Sequence, residues 1–565
     1  MGGRWRGPGV TEVRVGVAAV RQGVVGAVRR FAGPRRAVVA GAGAALTVVG
    51  CNTPWARFAF GYPGKMSLGG FPGGARTYAL FLVVPALAGL TRWAGRRSAA
   101  IAGSFGVLAV SAGNLVGLAK QGGGLGAVAY GAWLASAGGL LLLLAAVAGP
   151  DDEAPTLAER TLPPVVEMAA VAASLAAVLA GVWYGLGVDE ATRFASFAAT
   201  VAFVASALAG LGGIGWLQAL YLRHRAVTLT ASALAAVAFP FTQGGEAQWI
   251  RVFASIGIFA TAAIGLNVVV GLAGLLDLGY IAFFGVGAYV AALTAGAGTT
   301  TSHIVLPYGV AILLGAVVAA IFGVIIGAPT LRLRGDYLAI VTLAFGEIFR
   351  IAVNNWDSVT RGPNGISRIP DLAVGSFNLG QPHRLLGLEL PGFANYYFLE
   401  LALLAWVILV FTRLNDSRIG RAWVAIREDE VAASAMGVNT VRLKLLAFAI
   451  GAFLAGAAGT VDAHFGRQVS PESYSFLQSV TLLAAVVLGG MGTVPGALIG
   501  STILILIPEK LRAFQDPRLL LFGVALILMM RLRPEGFAPS RRRQRELHAE
   551  GEGADALSAP PGTGR

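Results

Sequence analysis

The sequence predicts an all-α protein, a polytopic bundle of transmembrane helices, and three observations carry that prediction. The chain of 565 residues is 56% hydrophobic and only 13% charged, with a mean hydropathy of +0.71, a balance foreign to soluble enzymes. Apolar runs recur along almost its whole length, for instance Leu125 to Ala148, Phe194 to Leu217 and Leu306 to Gly327, and each reaches the roughly 20 residues a membrane-crossing helix needs. The runs do not alternate with period two, which excludes a closed barrel. Many of the 78 glycines sit inside these runs, where small residues let helix backbones approach closely or permit breaks.

The formal net charge of +14 does not point to nucleic acid, because the arginines cluster at the ends of apolar runs, as in cytoplasmic loops of membrane proteins. Cys51 is the single cysteine, so an intrachain disulfide framework and a cysteine metal cluster are excluded. Val48 to Cys51 imitates a lipid-attachment signal, but such signals sit nearer the N-terminus, and a cysteine at a helix end is the simpler reading.

In chain order, residues 1–36 carry eight arginines among valines and read as a basic cytoplasmic arm, either lying on anionic lipid or solvated. Residues 37–250 form an N-terminal transmembrane extension, with spans expected near 37–50, 78–91, 99–118, 125–148, 164–186, 194–217 and 226–241. From residue 251 the loops become longer and more distinctive. Spans are expected there near 252–270, 280–296, 304–327, 337–353, 397–413, 443–463, 477–489, 496–508 and 518–532, followed by a disordered cytoplasmic tail over 538–565. Placing the N-terminus inside puts the basic loops around Arg92 to Arg97, Arg223 to Arg225 and Arg332 to Arg334 inside as well, together with the Arg-rich C-terminus. The polar, proline-rich stretch 354–396 then falls outside.

Two glycine-rich interruptions, Gly271 to Gly279 and Gly489 to Gly500, should break helices. Broken helices expose backbone dipoles at membrane depth, which is how transporters line a pathway; close packing or a plain loop explains the same glycines equally well. Asn267, Gly271, Gly274, Asp277, Gly279, Gly489, Gly490 and Gly492 are the candidate pathway residues. Asp277 can meet a substrate ammonium, or more simply cap the following helix. Glu347 and Arg350 are spaced i, i+3 and read as an ion pair.

The five histidines show no ligand spacing, so no metal site is expected. No phosphate-binding loop is present either: Met66 follows Gly64 and Lys65, and Ala59 occupies the place of the first glycine. The segment Gly420 to Asn439 is too charged to cross a bilayer. Residues 419–438 read as one short helix with Trp423, Ile426 and Glu430 at i, i+3 and i+7, and with Arg421, Arg427, Glu428 and Asp429 as charged contacts. Such a helix can enter a partner's groove, or simply connect two spans in water.

Five stretches in order, GLNVVVGLAGLLDLGYIAFFGVGAYVAAL from Gly265, PTLRLRGDYLAIVTLAFGEIFRI from Pro329, TRGPNGIS from Thr360, SRIGRAWVAIREDEVAASAMGVN from Ser417 and VVLGGMGTVPGALIGS from Val486, closely resemble the LivM-type permease subunits of ABC importers for branched-chain amino acids. The resemblance covers about residues 251–537 and leaves 1–250 unmatched. It implies the ABC importer permease fold and a helix that docks into an ATPase subunit through Glu430, Ala432, Ala433 and Gly437, with Gly420, Arg421, Arg427 and Glu428 beside them. It also implies a bacterial inner or plasma membrane, a second, LivH-like permease, two ATPases that hold ATP and magnesium, and an external substrate-binding protein. This chain would bind no cofactor and hydrolyse nothing itself. A urea or short-amide permease of the same build is one rival. A channel or secondary transporter without an ATPase is the other, and Asp277, Glu347 and Asp462 are the carboxylates it would have to use.

Overall fold

The computed structural model describes residues 35–53, 97–121, 124–149, 163–188, 191–242, 247–297, 304–330, 336–374, 377–385, 388–510 and 536–538, with a few isolated positions between them. The expected basic arm up to residue 34, half of the 78–91 span, most of the 518–532 span and the tail beyond Ala538 lie outside the described residues. Two compact units divide between Ala235 and Ala236.

The first unit contains α1 (Arg36–Cys51), α2 (Arg97–Gln121), α3 (Tyr130–Val147), α4 (Pro164–Leu186), α5 (Ala191–Gly210), α6 (Gly213–Arg223) and the start of α7 (Arg225–Thr242). Its core forms where α1, α2 and α3 pack together around Cys51, Val107, Leu118, Ala132 and Leu142. Glycine sets the spacing: a Cβ on Gly43 would lie 2.9 Å from the Gly138 carbonyl oxygen. The expected span 194–217 is two helices, because the chain turns by 80° between α5 and α6 at Gly212, whose φ of 72° suits a residue without a side chain. The run from Leu125 likewise opens as a 3-10 turn over Leu125–Ala127, and its α-helix begins only at Tyr130.

The second unit continues with α8 (Ala247–Asn267), which runs into a π-helical turn over Val268–Leu272. Then come α9 (Ile281–Thr294), α10 (Tyr308–Thr330), α11 (Asp336–Asn355), α12 (Gly392–Asp416), α13 (Arg418–Glu428), α14 (Glu430–Ala435), α15 (Thr440–Gly466), α16 (Phe476–Gly489) and α17 (Val494–Lys510). Helix α15 lies at the centre, packed on α8, α9 and α10. Backbone meets backbone there: a Cβ on Gly287 would strike the Gly456 carbonyl, and one on Gly459 would strike that of Phe284. Between α11 and α12 the chain forms two short hairpins, β2 (Ala373–Val374) with β3 (Phe377–Asn378) and β4 (His383–Leu385) with β5 (Leu388–Leu390). A further strand, β1 (Ile366–Ser367), pairs antiparallel with β6 (Gln468–Val469), which ties this loop to the end of α15.

Among the described residues, nine helices are long and apolar enough to cross a membrane, or ten with the bent pair taken as one. Among the described residues, four expected spans fall short of that length: 37–50, 280–296, 477–489 and 496–508 are helices of 16, 14, 14 and 17 residues. At 1.5 Å per residue they reach about 21 to 26 Å, less than the roughly 30 Å hydrocarbon layer. The three in the second unit adjoin a glycine-rich interruption, which is why apolar composition there does not translate into a full crossing.

Candidate functional site

The polar segment after α12 is two helices rather than one. Ser417 opens α13 by accepting a hydrogen bond from the Gly420 N–H at 3.1 Å. Asp429 then takes up extended backbone and its Oδ1 accepts from the N–H groups of Val431 and Ala432 at 2.8 and 3.0 Å, which ends one helix and caps the next. Trp423 is wholly buried and donates its indole N–H to the Leu443 carbonyl at 2.7 Å. Glu430, across the break, meets Lys444 at 2.6 Å. Gly420 and Ala433 face inward, since a Cβ on Gly420 would strike the Leu414 carbonyl and Ala433 is buried. Arg421 donates to the Asp416 carbonyl at 3.1 Å, and Glu428 is exposed.

Apart from Ser434, what α14 and the turn after it leave exposed is apolar. Val431 is 69% exposed and Met436 85% exposed, and Ala432 and Gly437 are exposed beside them. Gly437 has φ of 82°, and a Cβ there would meet nothing within 4 Å. Bare apolar residues flanked by Glu428 and Asp429 are what a protein partner, rather than water, would cover.

The inner side of the same segment reaches the first interruption. Arg427 donates from Nη1 to the Gly271 carbonyl at 2.8 Å, across 156 positions of sequence. Gly274, at φ of 71°, lies so close beneath the Arg427 side chain that a Cβ there would collide with Cγ. The π turn supplies the geometry: by widening the helix over Val268–Leu272 it frees the Gly271 carbonyl from the regular ladder. The chain then leaves helical form through Ala273–Gly279 before α9.

The two interruptions meet each other through Asn267. Its Nδ2 donates to the Thr493 carbonyl at 2.9 Å and its Oδ1 accepts from the Gly492 N–H at 2.7 Å. A Cβ on Gly271 would strike the Asn267 Oδ1 and come within 2.6 Å of the Gly492 nitrogen. The second break is narrower than expected, covering only residues 490–493, because Gly496 and Gly500 lie inside α17. They serve close packing: a Cβ on Gly500 would strike the Ala485 carbonyl of α16. Gly489 and Gly490 end α16, where Phe537 and Ala538 donate their N–H groups to the carbonyls of Leu488 and Gly489 at 3.0 and 2.8 Å.

Asp277 is 1% exposed and does not cap α9. Its Oδ1 accepts from the Gly279 N–H at 2.9 Å, a local turn that closes before Tyr280, and its Oδ2 has no hydrogen-bond partner. Gly279 abuts α11, where a Cβ would strike the Thr342 carbonyl, and Tyr280 donates its hydroxyl to the Gly451 carbonyl of α15 at 2.6 Å. Glu347 and Arg350 form the expected pair, with Arg350 Nε 3.0 Å from Oε1. One buried carboxylate lies outside the expected set: Glu400 on α12, 2% exposed, accepts from Thr261 of α8 at 2.6 Å. A lone glutamate in an apolar run was its visible signal. The first unit holds another, Glu167, between Arg223 at 2.6 Å and His224 at 2.9 Å.

Residues 248–530 match the family model described as branched-chain amino acid transport system / permease component. The chain is 40% identical over 343 residues to the high-affinity branched-chain amino acid transport system permease protein LivM of Salmonella typhimurium, covering 58% of this chain and 78% of that protein. It is 30% identical over 252 residues to the LivH permease of the corresponding Escherichia coli K12 system, covering 44% and 79%. It is 28% identical over 289 residues to the BraD permease of Pseudomonas aeruginosa, covering 49% and 90%. No solved structure matches the chain. With a polytopic bundle, two facing helix interruptions and half its length inside the family model, the chain belongs to the branched-chain amino acid transport system permease family.

Proposed function

We propose that this protein is one permease subunit of an ATP-driven importer for branched-chain or similar amino acids, working in a bacterial inner or plasma membrane with both termini in the cytoplasm. It pairs with a second, LivH-like permease, two ATPase subunits and an external binding protein. Residues 251–537 carry the permease activity, residues 37–250 are an added membrane-helical extension, and the basic arm and the tail flank them. The ATPase is held by the outward face of α14, and movement there passes inward through Arg427.

The observation that carries this reading is the Arg427 to Gly271 hydrogen bond of 2.8 Å. A segment that merely connects two spans in water has no need to grip a broken helix, whereas a lever must touch what it moves. Asn267 extends that contact to the second break, so one displacement of α13 reaches both interruptions. Alternating access then amounts to the two breaks shifting together.

The test is substrate-stimulated ATP hydrolysis by the reconstituted assembly. Gly437→Arg fills the open space beside Met436 and should abolish stimulation, while Gly437→Asn, which tolerates the left-handed backbone, should retain most of it. Normal stimulation in an intact Gly437→Arg assembly would remove the docking role.

A further inference from the structure

At the end of the second unit away from α13 and α14, the start of α8, the start of α12, the end of α15 and the loop residues Gly380 and Pro382 line a half-open cavity of about 520 Å³. Helix α12 runs from that cavity to the docking segment in 25 residues, and α15 returns in 27, or about 38 and 40 Å at 1.5 Å per residue. The cavity therefore opens on the opposite face of the bundle.

Its lining is two-natured. Arg251 and Arg467 supply cations, and Phe393, Tyr396, Phe465 and Pro391 supply apolar wall. The Arg251 guanidinium lies over the Phe393 ring, 5.3 Å from its centre, instead of on a carboxylate. Arg467 is fixed: it caps α15 at φ of 55°, its carbonyl accepts from the Ile369 N–H at 3.2 Å, and one guanidinium nitrogen meets Asp371 at 2.6 Å. The rest of its five-donor fork is not taken up by that contact. The Phe465 ring stands edge-on to those of Phe393 and Tyr396 at 5.8 and 5.9 Å. The rim is locked as well, since Asn395 donates to the carbonyls of Leu379 and Gln381, both at 3.0 Å.

We propose that this cavity receives an aliphatic α-amino acid before it enters the bundle, with the carboxylate held by Arg251 and Arg467 and the side chain laid against Phe393, Tyr396 and Phe465. The assignment rests on the amino-acid transport proposed above. Its volume falls within the roughly 300–1,000 Å³ of small-molecule sites, and an apolar wall with a few convergent polar groups is their usual make-up. Guanidinium groups match carboxylates in geometry and charge. The amino ends of α8 and α12 favour the carboxylate, and Arg467 sets its own charge against the carboxyl end of α15.

Full-length protein in lipid nanodiscs, irradiated with the diazirine analogue of leucine and mapped by mass spectrometry, tests this. Adducts should fall on residues 391–396 and 465–467, and should be displaced by L-leucine but not by L-leucinol, which lacks the carboxylate. Arg251→Gln should lower them about tenfold, the usual worth of one charge-assisted hydrogen bond, and Arg251→Lys should restore part of the loss. The leucinol comparison uses the unaltered protein, so a folding defect in a variant cannot decide the result. Absence of adducts there, or displacement by leucinol equal to that by leucine, overturns the proposal. Leucine uptake by the whole assembly separates the two readings. Uptake without adducts removes only the role of the cavity, and an assembly that takes up no aliphatic amino acid removes the transport reading beneath it.

Discussion

The two units are built from the same kind of sequence and held in different ways. In the second, α8 buries 72% of its most apolar stretch, and polar side chains stitch distant helices together: Thr261 to Glu400, Asn267 to Thr493, Tyr280 to Gly451 and Arg427 to Gly271. In the first, α4 buries only 11% although α2 buries 56%, and the polar contacts run over shorter stretches of chain: Glu167 with Arg223 and His224 and Ser174 with Tyr221 tie α4 to α6, and Asn114 with Ser196 and Ser98 with the Gly210 carbonyl tie α2 to α5. Hydropathy does not separate the units. What separates them, among the described residues, is how far along the chain these directional bonds reach: 139 to 226 positions for the four in the second unit, and 47 to 112 for those in the first.

The sharpest way to break this contrast is to place bulk on equivalent glycines. Gly279→Leu forces α9 off the Thr342 carbonyl and should cost about 3 kcal/mol, read as a lower unfolding midpoint in detergent and loss of uptake. Gly181→Leu on α4, where a Cβ meets nothing within 4 Å, should leave the midpoint unchanged or slightly raised. If both variants behave alike, the packing difference between the units is not real. Next in size, Arg427→Gln should lower substrate-stimulated ATP hydrolysis about tenfold while basal hydrolysis persists; an unaltered ratio would break the proposed lever. Asn267→Leu strands the Gly492 N–H and the Thr493 carbonyl and should cost about 1–3 kcal/mol, with hydrogen exchange around residues 488–496 rising before that of α15.

Smaller effects sharpen the comparison from the other side. Glu167→Gln removes the charge between Arg223 and His224 and should speed hydrogen exchange a few-fold in α4 and α6 only, with leucine uptake per assembled molecule unchanged. A fall in uptake would show that the first unit takes part in the cycle. Smallest of all, Glu347→Ala breaks a half-exposed i, i+3 pair and should move the midpoint by no more than about one degree.

The fold class was legible because hydropathy registers the membrane directly, and the interruptions were legible because glycine is dense there. Helix length was harder to read: the stretch 280–296 is as apolar as a true span, and only its position after a break shortens it. The split at Asp429 was available in principle, since aspartate is a strong helix-opening residue, but the apolar spacing of Trp423 and Ile426 drew the helix through it. Arg427 was singled out as a charged contact, yet its partner lies 156 positions away, and nothing local to either end points to the other. Glu400 is legible as a single acid in the apolar run that follows Tyr397.

The bonds from Phe537 and Ala538 to the end of α16, together with the Thr493 hydroxyl that donates to the Ala538 carbonyl at 2.9 Å, have a consequence for synthesis. As the chain emerges from the ribosome, α16 and α17 are complete before residues 537 and 538 exist, so the turn between them gains these bonds only afterwards. The turn is therefore closed by residues that are made later than both of the helices it joins.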